Sequence, residues 1–323
     1  MPSRRAVLGA VGLGLATGAS GCLDSLTGGS GAIAGSPDPT LASSIAQPAV
    51  RRWGEDPESQ RIENVEAWIT YCDAAGLRDY RDRIADPYAV WGGNEPVPAL
   101  GTTAGLQSVD RSITAQYSTR FEDRHILDGE TGILTGAVDT AAHRAASDAT
   151  SPAGTYRGFD LYAREPRERV GESPNGIVTA EATVLTEPDA PRDEVEQDVA
   201  NGLLRRTIDR SIDEPAPADW VGRTIEGCLP FHYATLTLRH YRNENLTPHV
   251  SVRALYVRGE RSRVVRARGF PSVEAFEESW DLARAERRLP GFRDAENEER
   301  VGGTAGLVSA TLPTEDTAVG ASG

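Results

Sequence analysis

Lysine is absent from this 323-residue sequence: all 34 basic residues are arginine, set against 48 aspartates and glutamates for a formal net charge of -14. Attraction to nucleic acid phosphate needs a concentrated basic face, so this balance argues against nucleic-acid binding. Cysteine is scarce, with three in the chain. The length suits one large domain or two modest ones, and 39% hydrophobic residues give material for a packed core, so the fold does not depend on disulfides. Long apolar runs are also lacking. The N-terminal run, Ala6 to Ala19, spans about 14 residues where a membrane-crossing helix needs roughly 20, and it is broken by Gly9, Gly12, Gly14 and Gly18.

The absence of catalytic signatures points the same way. There is no His-Glu-x-x-His, no Gly-x-Ser-x-Gly elbow in the body, no Walker loop, no Cys-x-x-Cys and no acidic loop of EF-hand spacing. No cofactor or metal site is therefore read from the sequence. His232 and His240 lie eight residues apart on an expected strand, about 26 Å at strand rise, too far to share a zinc ion with each other. His249, His125 and His143 read as ordinary hydrogen-bonding side chains. Asp79, Asp82 and Asp86 fall at helical spacing but interleave with Arg78, Arg81 and Arg83, which reads as a solvated face with local ion pairs. Tyr88 and Trp91 beside Gly92-Gly93 read as a core plug, with a binding groove as the alternative.

What is present is an address. Arg4-Arg5 stands directly before the apolar run, and Ala19-Ser20-Gly21-Cys22 closes it with small residues before a cysteine. The first pattern is similar to a twin-arginine export signal and the second to a lipobox, in the order and spacing that an exported lipoprotein requires. Two hydrocarbon chains on Cys22 would hold a folded domain on the membrane, where one is marginal. Cleavage before Cys22 removes Arg4 and Arg5 and no acid, so the partner at the membrane is lipid held through Cys22 and not surface charge. A carboxylate-rich, lysine-free surface is tolerable in molar salt, where the Debye length falls to about 3 Å, and the composition resembles that of halophilic proteins, with an ordinary acidic protein of a high-GC bacterial genome as the alternative.

Two thiols then remain, Cys72 and Cys228. Outside the reducing cytosol they could form a disulfide closing a loop of about 156 residues. The alternative is that Cys72, on an apolar stripe, is simply a small buried hydrophobe.

The chain divides into a signal peptide (1–21), the lipidated cysteine with a Gly/Ser/Ala/Pro-rich tether (22–44), a helical segment (45–100), an α+β module (101–245), a second, partial module (246–312) and a polar tail (313–323). Asp56-Pro57-Glu58 reads as a helix start, followed by Ile62, Val65, Trp68, Ile69 and Cys72 on one face up to Gly76, with Leu77, Tyr80 and Ile84 continuing as a second short helix. Strands are expected over 133–138, 155–163, 177–185 and 231–241, with helices over 140–148 and 193–212. That order, strand-helix-strand-strand-helix-strand, is the ferredoxin-like one, with helices on one face of an antiparallel sheet. A hairpin turning at Gly259-Glu260, a helix capped by Ser272 and a last strand over 302–312 suggest a tandem copy.

Leu134-Thr135-Gly136-Ala137-Val138-Asp139, Tyr156-Arg157-Gly158-Phe159-Asp160-Leu161-Tyr162 and the helix from Glu274 to Trp280 resemble haloarchaeal twin-arginine-exported lipoproteins of unknown function. The resemblance covers most of 100–310. It implies an exported α+β body at the cell envelope and brings no catalytic residues with it. The sequence thus leads to a lipid-anchored, non-enzymatic binding or structural module outside the membrane. The alternatives are a secreted hydrolase with dispersed catalytic residues and a solute-binding subunit of a transporter.

Overall fold

Side chains along most of the described residues alternate between two environments, and the strands they define join into one antiparallel sheet. The computed structural model describes residues 64–80, 109–121, 124–146, 148–164, 167–184, 202–209, 211–212, 219–241, 249–286 and 297–314, all within a unit spanning Ala32–Gly323. In chain order the elements are β1 (Asn64–Asp73), α1 (Ala74–Arg78), β2 (Val109–Phe121), β3 (Arg124–Gly136), α2 (Thr140–Ala146), β4 (Ser151–Tyr156), β5 (Phe159–Arg164), β6 (Arg167–Ser173), β7 (Gly176–Val184), the helix α3 (202–209), α4 (Asp219–Cys228), β8 (Tyr233–Tyr241), β9 (His249–Arg258), β10 (Arg261–Gly269), α5 (Val273–Glu286), β11 (Asn297–Val301) and β12 (Ala305–Pro313). The twelve strands run in the order β11-β12-β10-β9-β8-β1-β2-β3-β7-β6-β5-β4. The fold is α+β, a broad open antiparallel sheet with a few helices.

One face carries the main core. Ala67, Ile69 and Tyr71 of β1, Ile113 and Ala115 of β2, Val178, Ala180 and Ala182 of β7, and Ala234, Leu236 and Leu238 of β8 all point into it. Leu203, Leu204 and Ile208 of α3 and Val221, Ile225 and Cys228 of α4 cover it. The three α3 side chains are fully buried, each worth about 1.5 to 3 kcal/mol relative to exposure. A polar clamp fixes α3 over the sheet end: Arg205 forks onto Glu168 of β6 at 2.9 and 2.6 Å, and the Tyr156 hydroxyl donates to Asp209 at 3.0 Å.

Several expectations hold. The hairpin turns at Gly259-Glu260, where Gly259 takes φ +67, and the Ala275 N–H donates to the Ser272 hydroxyl at the start of α5. Within the helix expected over 140–148, Thr140–Ala146 is helical as α2, and within the strand expected over 177–185 the described residues belong to β7, Gly176–Val184.

Others need correction. Residues 64–73, placed in the N-terminal helix, form the central strand β1, because Trp, Ile, Thr and Tyr favour a pleated surface and alternate with period two; the expected helix start at Asp56 lies outside the described residues. Gly76 does not end a helix but lies inside α1, its N–H bonded to the Asp73 carboxylate at 2.9 Å. The strand expected over 155–163 is two strands, β4 and β5, turning at Arg157 (φ +50) and Gly158 (φ +87). The stretch between the expected strands 155–163 and 177–185, whose prolines and glycines read as a polar loop, contains β6. The ferredoxin-like arrangement is not formed: its fourth strand, β8, is separated from its first, β3, by β1 and β2. The supposed second module is no separate sheet either, since β9, β10 and β12 extend the same one.

The edge strands differ in character from the interior. β11 is the five-residue Asn-Glu-Glu-Arg-Val, and β4 carries Pro152 and a register shift before Gly154, which takes φ +112.

Candidate functional site

Burial of one sheet face under α3 and α4 leaves the alternate side chains on the other. Near its middle that face is polar, and the strand register dictates which residues meet. Trp68 of β1 stands opposite Gln116 of β2 and Thr237 of β8. Gln116 stands opposite Glu130 of β3, and Glu130 opposite Glu181 of β7. In the other direction Thr70 faces Thr235, Thr235 faces Arg253 of β9, and Arg253 faces Arg266 of β10. Beside that pair, the Arg268 Nε donates to the Ser251 hydroxyl at 3.3 Å. The face thus carries two like-charge cross-strand pairs of opposite sign, one on each side of Trp68.

Like charges directly opposite each other destabilise a sheet. The Glu130 carboxyl is held above its ordinary value by desolvation against the sheet, with the Glu181 charge adding to this and a hydrogen bond from Gln116 opposing it. Arg266 is pushed down to about 10, by burial first and by Arg253 second. Partial relief is local: Arg169 of β6, itself buried, ion-pairs with Glu181, and Arg239 of β8 lies 3.5 Å from Glu66 of β1. Arg253, Gln116 and Glu130 remain exposed, and Trp68 is half-buried. Such a surface can recognise a partner carrying the opposite charge pattern.

A second polar group sits at the sheet end. His232 accepts the Val257 N–H at Nδ1 (3.2 Å), which places its proton on Nε2, and its ring packs on Tyr256 and Tyr80 with centroids 4.8 and 6.2 Å away. Burial lowers its pKa, with nearby Asp73 opposing the shift.

Arg4, Arg5, Cys22, Asp82, Asp86, Tyr88 and Trp91 lie outside the described residues. The possible Cys72–Cys228 bridge is not formed: both are free, buried thiols, as the alternative for Cys72 has it. The physical reason is the sheet itself. Cys72 points to the open-face side, packed with Tyr233, Leu255 and Val257, whereas Cys228 belongs to the helix-covered core and donates its thiol to the Thr224 carbonyl at 3.2 Å. Burial pushes both thiols up to about 12. His232 and His240 are separated by the length of β8, and Asp79 follows the short helix α1. Among the described residues no group of three or more His, Cys, Asp or Glu could hold a metal ion, and no helix is long and apolar enough to cross a membrane.

The charged pairs were missed in the sequence. The basic one was within reach, because a two-residue turn at Gly259-Glu260 sets Arg258 opposite Arg261 and hence Arg253 opposite Arg266. The acidic one was not, because two further described strand pairings, through β4 to β6, intervene between Glu130 and Glu181.

No family model matches the chain, and no curated protein matches it. Among solved structures it is similar to two crystal forms of TP0453, form III and form I, each at 11% identity. The alignments cover 78% of this chain with 92% and 91% of the other, at TM-scores of 0.36 and 0.35, values at which the likeness carries no argument about function.

Proposed function

We propose that this chain is a haloarchaeal, lipid-anchored cell-envelope protein, exported by the twin-arginine route and held at the extracytoplasmic side of the membrane through Cys22, where its sheet serves as a binding or structural module. The anchoring rests on Arg4-Arg5, the short glycine-broken apolar run and Ala19-Ser20-Gly21-Cys22 in sequence. A binding role rests on one observation, the open face's like-charge cross-strand pairs of opposite sign, a pattern that a complementary surface would match. Fractionation of cells expressing the chain tests the anchor. The wild type is expected in the membrane pellet, and Cys22→Ser in the soluble fraction or arrested as the unprocessed precursor. Unchanged membrane association and unchanged gel mobility in Cys22→Ser would overturn the reading.

A further inference from the structure

We propose that the open face is self-complementary, and that two copies of this chain pair face to face about a two-fold axis running along β1 over Trp68. The strands between the two charged pairs run β10-β9-β8-β1-β2-β3-β7. Arg253 and Arg266 are centred between β9 and β10, and Glu130 and Glu181 between β3 and β7. Each centre is therefore two and a half strand spacings from β1, about 12 Å at about 4.8 Å per spacing. A half-turn about an axis along β1 exchanges the two positions, setting the arginines of each copy over the glutamates of the other.

Along the strands the match is close. The acidic pair shares the register row of Trp68, whereas the basic pair shares that of Thr70, an offset of two residues or about 7 Å. That is within the reach of an arginine side chain, and Arg268 already lies in the Trp68 row. The half-buried indole sits where the axis passes, so the contact has an aromatic centre with charges around it, the usual anatomy of an energetically focused interface.

The charge argument also selects the partner. A chain of net charge -14 repels a second copy as a whole, so association has to come from a face whose local pattern outweighs the global one. Here each like-charge pair is disfavoured across its strands, and a second copy adds a counter-charge to each through symmetry, beyond the local relief that Arg169 gives Glu181. Six strand spacings by about 20 Å of strand gives a contact of about 1,000 to 1,200 Å² in total, at the lower end for a specific interface, so the dimer is a reversible one.

Two charge-reversed variants test this, in the full chain with and without Cys22→Ser. Glu130→Arg with Glu181→Arg makes both halves basic; Arg253→Glu with Arg266→Glu makes both acidic. By sedimentation equilibrium the wild type is expected to dimerise, each variant alone to weaken association at least tenfold, and their mixture to form a heterodimer as tight as the wild type or tighter. Native circular dichroism of each variant separates lost pairing from lost fold. If either variant fails to fold, Gln116→Arg, exposed in the acidic row, is expected to weaken the dimer severalfold while leaving the fold intact. A monomeric wild type, or folded variants that do not recover association on mixing, would overturn the proposal. Cys22 enters neither outcome, so failure of the anchor and failure of the dimer are distinguishable.

Discussion

Gly269 of β10 lies beneath α4 at a separation that no side chain tolerates. A Cβ added there would fall inside the van der Waals shell of the Thr224 hydroxyl oxygen, 3.0 Å from Thr224 Cβ and 3.1 Å from Val250 Cγ1. Thr224 is fully buried, and its hydroxyl donates to the Trp220 carbonyl at 2.7 Å, so it can move aside only by giving up that bond. Overpacking costs about 1 to 3 kcal/mol, and a lost buried hydrogen bond adds about 1 kcal/mol. Gly269→Ala should therefore destabilise by about 2 to 4 kcal/mol, a drop in Tm of roughly 4 to 16 °C for a domain of this size. Thr224→Ala alone should cost about 1 to 2 kcal/mol, since it removes the hydroxyl bond and a buried methyl. With both changes the oxygen clash is gone, although Cβ of residue 224 and Val250 remain close. The double variant should then be more stable than Gly269→Ala alone, with a coupling of about 1 to 2 kcal/mol. Urea unfolding followed by tryptophan fluorescence at fixed salt measures all four proteins. A Gly269→Ala protein within about 1 kcal/mol of wild type, or strictly additive changes, would refute this packing of α4 on β10.

Ile208→Asp and Leu204→Asp should each cost more than about 4 kcal/mol, by placing an unpaired charge in the core under α3; wild-type melting curves would show that this face is not core. His232 has a folded pKa below its ordinary value, so its contribution to stability is full above about pH 6.5 and is lost as pH falls from there through the folded value. His143, likewise lowered by burial, acts with the same sign, so the measurement is the difference between wild type and His232→Asn, whose carbonyl can still accept the Val257 N–H. The variant should lose less stability between pH 7.5 and 5, and equal losses would contradict the assignment. In Cys22→Ser protein at pH 8, Cys72 and Cys228 should stay silent to a thiol reagent while folded and give two thiols in denaturant; fast native reaction, or fewer than two, would count against two buried free cysteines.

Much of the core was legible in the sequence because it is local. Leu203, Leu204 and Ile208 repeat at helical spacing, and Ala234, Leu236 and Leu238 alternate; all six are buried. β1 was misread because its last residues are buried on both sides. Tyr71 and Cys72 are adjacent and both inside, which weakens the period-two signal and lets Val65, Trp68, Ile69 and Cys72 pass for a helix face. β6 was taken for a loop because Arg167, Glu168 and Arg169 look solvated, yet Glu168 and Arg169 are buried, and Glu168 is neutralised by an arginine from α3 that no sequence window around β6 contains. Strand order was illegible for a related reason: β1 pairs with β8, far along the chain, and nothing local specifies that choice. The charge pattern of the open face is the product of such pairings, and only the part made by a hairpin could be read beforehand.

A sheet of twelve strands is about 53 Å across, and its two borders among the described residues, β11 and β4, each present one edge to any extended chain they meet. In this molecule those borders are poor templates. β11 is short, with exposed Glu299 and Arg300, while on β4 Pro152 withholds a donor and the Gly154 kink breaks the line of acceptors. Strand-by-strand growth into fibres is therefore blocked at both ends. Many copies could crowd together without polymerising edge to edge, leaving the open face as the route by which one molecule meets another.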